Sequence, residues 1–196
     1  MDRGATDKPS ILNTDTNVTP PSQVVSDTLL PAEQYNPYPQ AVMGLSYNWS
    51  GMSTLVNNMV AGGNTNQAIG LALGWMSLVG GGPFTAPAMD PNYKYQQVII
   101  LLTDGLNTQD RWYFDQPSID ARQQLTCDNI NTAGITLYTV QVNTGSDPTS
   151  TLLQRCAGSA GKYPDSDKFF LLTSANEMIT TFNQIGTALS SLRVAQ

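Results

Sequence analysis

Histidine is absent from this 196-residue sequence. With it go the side chain that most often serves as general base or proton shuttle near neutral pH and the commonest transition-metal ligand. Charge is scarce as well. Asp, Glu, Lys and Arg make up 12% of residues, about half the usual share of ~25%, and Thr, Ser, Asn and Gln take their place. Positive charge is the scarcer sign, with nine Lys plus Arg against 15 Asp plus Glu, a net charge of −6 and a pI of about 4.3. An acidic surface without a basic cluster repels phosphate backbones and argues against nucleic acid as a partner. No run reaches the roughly 18 apolar residues that cross a bilayer, so no membrane span is expected. Met1-Asp2-Arg3-Gly4 opens no apolar signal core, and a targeting element would have to lie outside this chain. Glycine-rich phosphate loops, nucleophile elbows and metalloprotease helices are missing too.

What is present is enough for a packed domain. Apolar residues make up 40% of the chain, which a disordered segment would not carry. Two cysteines, Cys127 and Cys156, read either as two buried thiols or as one disulfide. A lone pair with none left over suits a disulfide and an oxidising, extracytoplasmic compartment. Residues 1–48 hold six of the 12 prolines and no helical period, and read as an irregular segment. Leu29, Leu30 and Tyr35 are its candidate anchors, and Ala41-Val42-Met43-Gly44-Leu45 is its one candidate edge strand. Asn17-Val18-Thr19 within this region and Asn48-Trp49-Ser50 at its end match the N-glycosylation pattern.

Residues 49–196 show regular periods. Ser50 is a candidate cap for a helix with Trp49, Met52, Leu55, Val56 and Met59 on one face, closed by Gly62-Gly63. Asn64 or Thr65 would cap a second helix over about 66–78. Val98-Ile99-Ile100-Leu101-Leu102 is a continuous apolar run of the kind buried on both faces of a parallel sheet. A helix over 118–132 follows, stopped by Gly134, then a strand over 135–142 rich in β-branched and aromatic residues. A short helix near 149–156 and the strand Phe169-Phe170-Leu171-Leu172 come next. Ser174-Ala175-Asn176-Glu177 forms a capping box for the last helix. Met178, Phe182, Ile185, Leu189 and Leu192 make its inward stripe, so Phe182→Ala is expected to cost about 3–5 kcal/mol.

This β-α-β-α-β-α order demands right-handed crossovers and a mostly parallel, Rossmann-like α/β sheet with helices on both faces. Ligands of such sheets sit at the carboxyl ends of the strands. Thr103-Asp104-Gly105 lies at such an end. A carboxylate there either binds something or caps the following loop through backbone amides. The loop Gly62-Gly63-Asn64-Thr65-Asn66 is either a plain helix start or the source of a second hard oxygen, the Thr65 hydroxyl. A threonine hydroxyl, a carboxylate and waters suit Mg²⁺ or Mn²⁺. Asp110, Asp115 and Asp120 read as loop and helix-start acids that favour a helix dipole.

Val98 to Gly105, preceded by Gly-Gly-Asn-Thr-Asn, resembles the second half of a von Willebrand factor A domain. More narrowly, residues 31–196 resemble the A domains of Tad/Flp pilus-assembly proteins of the TadG-like type. The likeness rests on Leu30-Pro31-Ala32-Glu33-Gln34-Tyr35, Val42 to Tyr47, Asn64 to Leu71, Tyr138 to Thr144 and the Leu-Arg-Val-Ala end. The resemblance implies that Thr65 and Asp104 are the second and third elements of a metal-ion-dependent adhesion site. The first element, Asp-x-Ser-x-Ser, does not occur here. Met1 is therefore read as an internal start, with the first strand, first helix and second strand of that fold missing. Two protein oxygens leave four of the roughly six Mg²⁺ positions to water, so binding is expected to be weak.

The function these features favour is a non-enzymatic protein-binding and assembly module of a bacterial pilus or envelope apparatus. Its partner face would comprise Thr65, Asp104 and the loop 107–118. Asn64, Asn107, Trp112, Tyr113 and Phe114 are the candidate contacts, with the aromatics as anchors. A scaffold without a working metal site is the alternative, and a metal-assisted hydrolase using Asp104 a more distant one, since no activated nucleophile is present. An unpaired side of the strand Val98–Leu102 would also be covered either by the chain's own residues 1–48 or by a second copy of the chain.

Overall fold

The computed structural model describes residues 40–80, 84–110, 113–145, 147–174 and 176–194, with backbone only for 191–194. The expectations for Leu29, Leu30 and Tyr35, and for Trp112, lie outside the described residues. Residues 41–45 are exposed and form no strand. A short run containing Gly44 does not hold as a strand without a neighbouring backbone to complete its hydrogen bonds.

Helix α1 (Trp49–Asn57) is capped by Asn48, whose side-chain oxygen accepts from the amide of Gly51 at 2.9 Å. Ser50, the expected cap, instead donates its hydroxyl to that same Asn48 oxygen from inside the first turn. None of the residues of α1 is buried. Helix α2 (Gln67–Val79) takes Asn66 as its cap residue and ends at Gly80, whose φ of 78° lies where glycine is favoured. Strand β1 (Val98–Thr103) leads through a loop to α3 (Gln116–Thr132). Asp115 caps α3 by accepting from the Ser118 amide, and Gly134, at φ 78°, lets the chain turn out of it. Strand β2 (Thr136–Val142), helix α4 (Thr151–Cys156), a 3₁₀ turn (Ser166–Lys168), strand β3 (Phe169–Leu172) and helix α5 (Asn176–Val194) complete the described chain.

The three strands form one all-parallel open sheet in the order β1-β2-β3. Its register pairs Val98 with Thr136 and Thr139 with Phe169. On one face α2, α3 and α4 close over Leu71, Ile99, Cys127, Ile130, Ile135, Leu137, Leu152 and Cys156, with Trp75 and Leu101 packed alongside. On the other face α5 covers Tyr138, Val140, Val142 and Leu172 through Ile185, Met178 and Leu189. Helices thus lie on both faces, as the strand–helix alternation requires.

Burial is not shared as the sequence implied. All seven residues of β2 are buried, because it has a strand on each side and helices above and below. Among the described residues β1 is an edge strand, and Leu102 is 43% exposed. Its uninterrupted apolar run therefore marks only partial burial. Phe182 is the second correction. It is 37% exposed at the flank of α5, whereas Ile185, one turn on, is 1% exposed and is the residue that anchors the helix.

Cys127 in α3 and Cys156 in α4 are joined by a disulfide with Cα atoms 5.2 Å apart. It crosses between two neighbouring helices on one face of the sheet and lies within that face's apolar cluster. No helix among the described residues is long and apolar enough to cross a membrane.

Candidate functional site

The carboxyl end of β1 meets the start of α2, and polar groups stitch the two together. Thr65 donates its amide to the Thr108 hydroxyl at 2.8 Å, and its carbonyl accepts the Thr108 amide at 3.0 Å. Asn64 adds a side-chain bond to Gln109. The two loops are thereby tied together at Asn64–Thr65 and Thr108–Gln109. Asp104 sits on the turn leaving β1 and is exposed. Thr103, just before it, is buried, and its hydroxyl donates to the Gly105 carbonyl at 3.1 Å. That bond closes the turn and leaves the neighbouring carboxylate of Asp104 facing water. Asp147, from the loop after β2, reaches the same turn: one of its carboxylate oxygens lies 3.9 Å from where a Cβ on Gly105 would stand.

Beneath this surface lies a buried polar network. Asn107 is 3% exposed. Its side-chain oxygen accepts the Gln67 amide at 2.9 Å, and its side-chain nitrogen donates to Asp120 at 2.9 Å and to Gln123 at 2.8 Å. Gln67 then donates to the Gly105 carbonyl at 2.9 Å and accepts from Gln123 at 3.1 Å. Gln116 extends the set to the second Asp120 oxygen. One small network thus fixes the first turn of α2, the loop after β1 and the middle of α3. Buried polar groups are tolerable only when paired in this way, and a paired set specifies a single arrangement.

The expected site residues separate into two groups. Thr65 and Asp104 both lie at the carboxyl end of the sheet, on the two loops tied together. Thr65 is half-buried and Asp104 is exposed. Asn64 is exposed beside them. Asn107, expected on the partner-facing loop, points inward and holds that loop from below. Phe114 is 67% exposed and Tyr113 half-buried. Tyr113 exchanges two bonds with Asp110, whose buried carboxylate accepts its amide at 2.6 Å while the Asp110 amide donates to the Tyr113 carbonyl. Asp110 is thus a loop clamp. Asp115 is the helix cap, and the Ser118 hydroxyl, then the Ser118 amide, hold its carboxyl below the usual carboxylate range.

Sequence reasoning missed Gln67 and Gln123. A signal existed for the second: Ile119, Gln123, Cys127 and Ile130 fall on one helical stripe, all buried. A glutamine in an otherwise apolar stripe asks for a partner. Thr65 and Asp104 carry hard oxygens, a hydroxyl and a carboxylate. Asn66, beside Thr65 in the chain, has a side-chain oxygen that is buried without a hydrogen-bond partner. That chemistry fits Mg²⁺ or Mn²⁺ and not zinc. Among the described residues no group of three or more Cys, Asp or Glu could hold a metal ion. No known protein family, curated protein or solved structure matches the chain.

Proposed function

We propose that this chain is a non-enzymatic protein-binding and assembly module of a bacterial pilus or envelope apparatus, built on a von Willebrand A-like α/β domain. The observation that carries the reading is the tied pair of loops at the carboxyl end of the sheet. Thr65 is hydrogen-bonded to the loop that follows Asp104, Gln67 at the start of α2 is bonded to Gly105 of the Asp104 turn, and the Asp104 residue is exposed. Rigid support beneath exposed polar groups is what a recognition surface needs, since side chains fixed in advance lose less entropy on binding. The Cys127–Cys156 disulfide supports an extracytoplasmic setting.

In this reading Thr65 and Asp104 would hold a Mg²⁺ or Mn²⁺ ion. The ion would supply a positive point at which an oxygen of a protein partner can dock. Two protein oxygens and several waters make a loose octahedral site, so affinity is expected to be low. Calorimetric titration with MnCl₂ tests this. Weak heat that disappears in Asp104→Ala supports the site, and micromolar affinity would refute its incompleteness. The alternative is a scaffold without a metal site. It is favoured by one observation: both backbone groups of Thr65 and the whole side chain of Asn107 are engaged internally. Titration heats unchanged in both Asp104→Ala and Thr65→Ala would select that alternative.

A further inference from the structure

Between Glu33 and Asp90 the sequence holds no charged residue at all, although charges occur throughout the rest of the chain. That stretch includes α1 and α2. It also carries more than half of the exposed large apolar side chains among the described residues, including Tyr47 at 91%, Trp49 at 70% and Val60 at 76% exposure, with Val56 and Met59 close behind. A nine-residue helix with no buried residue is not self-sustaining in water, where isolated helices shorter than about 12–15 residues are marginal. Exposed apolar clusters of this kind mark contact surfaces.

We infer that the face formed by Tyr47, Trp49, Val56, Met59 and Val60 is a dimer interface, and that its occupant is the same face of a second copy of this chain. Charge decides among the candidates. The chain as a whole carries −6, so two copies repel wherever acidic surfaces meet. The uncharged stretch is where they approach without that penalty. A twofold contact must be complementary to itself, and a charge-free patch meets this condition where a patch of one sign cannot. A lipid surface fits poorly. Interfacial helices flank their apolar face with Lys and Arg, and α1 has neither. A heterologous partner would gain nothing from electrostatic steering at a surface without charge.

Sedimentation of the full chain at about 100 μM tests the inference, a concentration well above the micromolar end for interfaces of standard size. The expected result is twice the chain mass of 21.1 kDa. Val56→Asp should shift the protein to monomer with an intact disulfide and a loss of helical signal no larger than the nine residues of α1, and Val56→Leu should stay dimeric. Ile179→Asp, an exposed position on α5, should leave the dimer intact. A monomeric wild type overturns the inference and assigns the cover of α1 to another part of the chain or to a different protein. A dimer that survives Val56→Asp but is lost in Leu102→Asp also overturns it, and moves the contact to the β1 edge.

Discussion

Asn107 uses its amide fully: one oxygen accepts from the chain entering α2, and one nitrogen donates to two side chains of α3. No other residue type of that size offers an acceptor and two donors at once. Asn107→Ala removes all three bonds and leaves the Gln67 amide and the Gln123 oxygen buried without that partner. The expected loss is about 2–3 kcal/mol of unfolding free energy in a urea titration, since orphaned buried groups cost more than a net hydrogen bond. Apolar anchoring on α5 makes a second contrast. Ile185 is fully enclosed and Phe182 is not. Ile185→Ala should cost about 3–4 kcal/mol and Phe182→Ala about 1–2 kcal/mol, despite the larger ring. Equal losses in matched denaturant curves would mean that Phe182 is covered by something outside the described residues.

At the scale of elements, α3 and α4 share one face of the sheet, and the disulfide joins them across a sequence separation of 29. A crosslink of that span restricts the unfolded chain by about 3–4 kcal/mol on the chain-entropy account. Replacing both cysteines with alanine should lower stability by that amount while keeping the helical content of the circular dichroism spectrum. Tyr163 reinforces the same seam. Its hydroxyl donates to Asp128 of α3 at 2.7 Å and accepts from Gln124 at 2.8 Å. Burial, then the Asp128 carboxylate, push that phenol well above its ordinary pKa, so the bond persists through the neutral and mildly alkaline range. A little further along, Asp165 ties the start of the 3₁₀ turn together. It is buried, pairs with Lys162 at 2.6 Å and Lys168 at 3.6 Å, and accepts the Asp167 amide.

For the whole molecule, the absence of histidine and the oxidised state of both cysteines leave no side chain that ordinarily titrates between about pH 6 and 8. Stability should therefore be flat across that range. The acid side differs. Burial alone would raise the Asp165 pKa, but Lys162, the Asp167 amide and Lys168 together outweigh it and hold the carboxyl below the usual aspartate range. A carboxyl depressed in the folded state stabilises fully above its unfolded pKa, and the contribution fades as pH falls through the lower native value. Thermal unfolding should thus show a plateau from about pH 6 to 8 and a decline beginning near pH 4. Asp165→Asn should lower the plateau and flatten the decline. A midpoint that changes sharply between pH 6 and 8 would mean that a group outside this account titrates with folding.

The local order along the chain was readable because it depends on local chemistry. The apolar runs at 98–102 and 169–172, the β-branched stretch at 135–142 and the glycine after α3 act within a few residues, and each produced the expected element. The alternation of strand and helix dictated a parallel sheet, because a crossover helix returns the chain in the same direction. The pairing of Cys127 with Cys156 was one of two readings left open by composition, and the packing of α3 beside α4 selected it. Which strand is central was not legible. β1 is the more continuously apolar run, and β2 carries Thr136, Thr139 and Gln141, yet the neighbours assembled from distant sequence bury β2 fully and leave Leu102 of β1 at 43% exposure. The same holds at the candidate site. Thr65 and Asp104 were visible as residue types at loop positions. The network of Gln67, Asn107, Asp120 and Gln123 that holds those loops joins residues up to 56 positions apart, and hydrogen-bond partners at that separation are chosen by the fold.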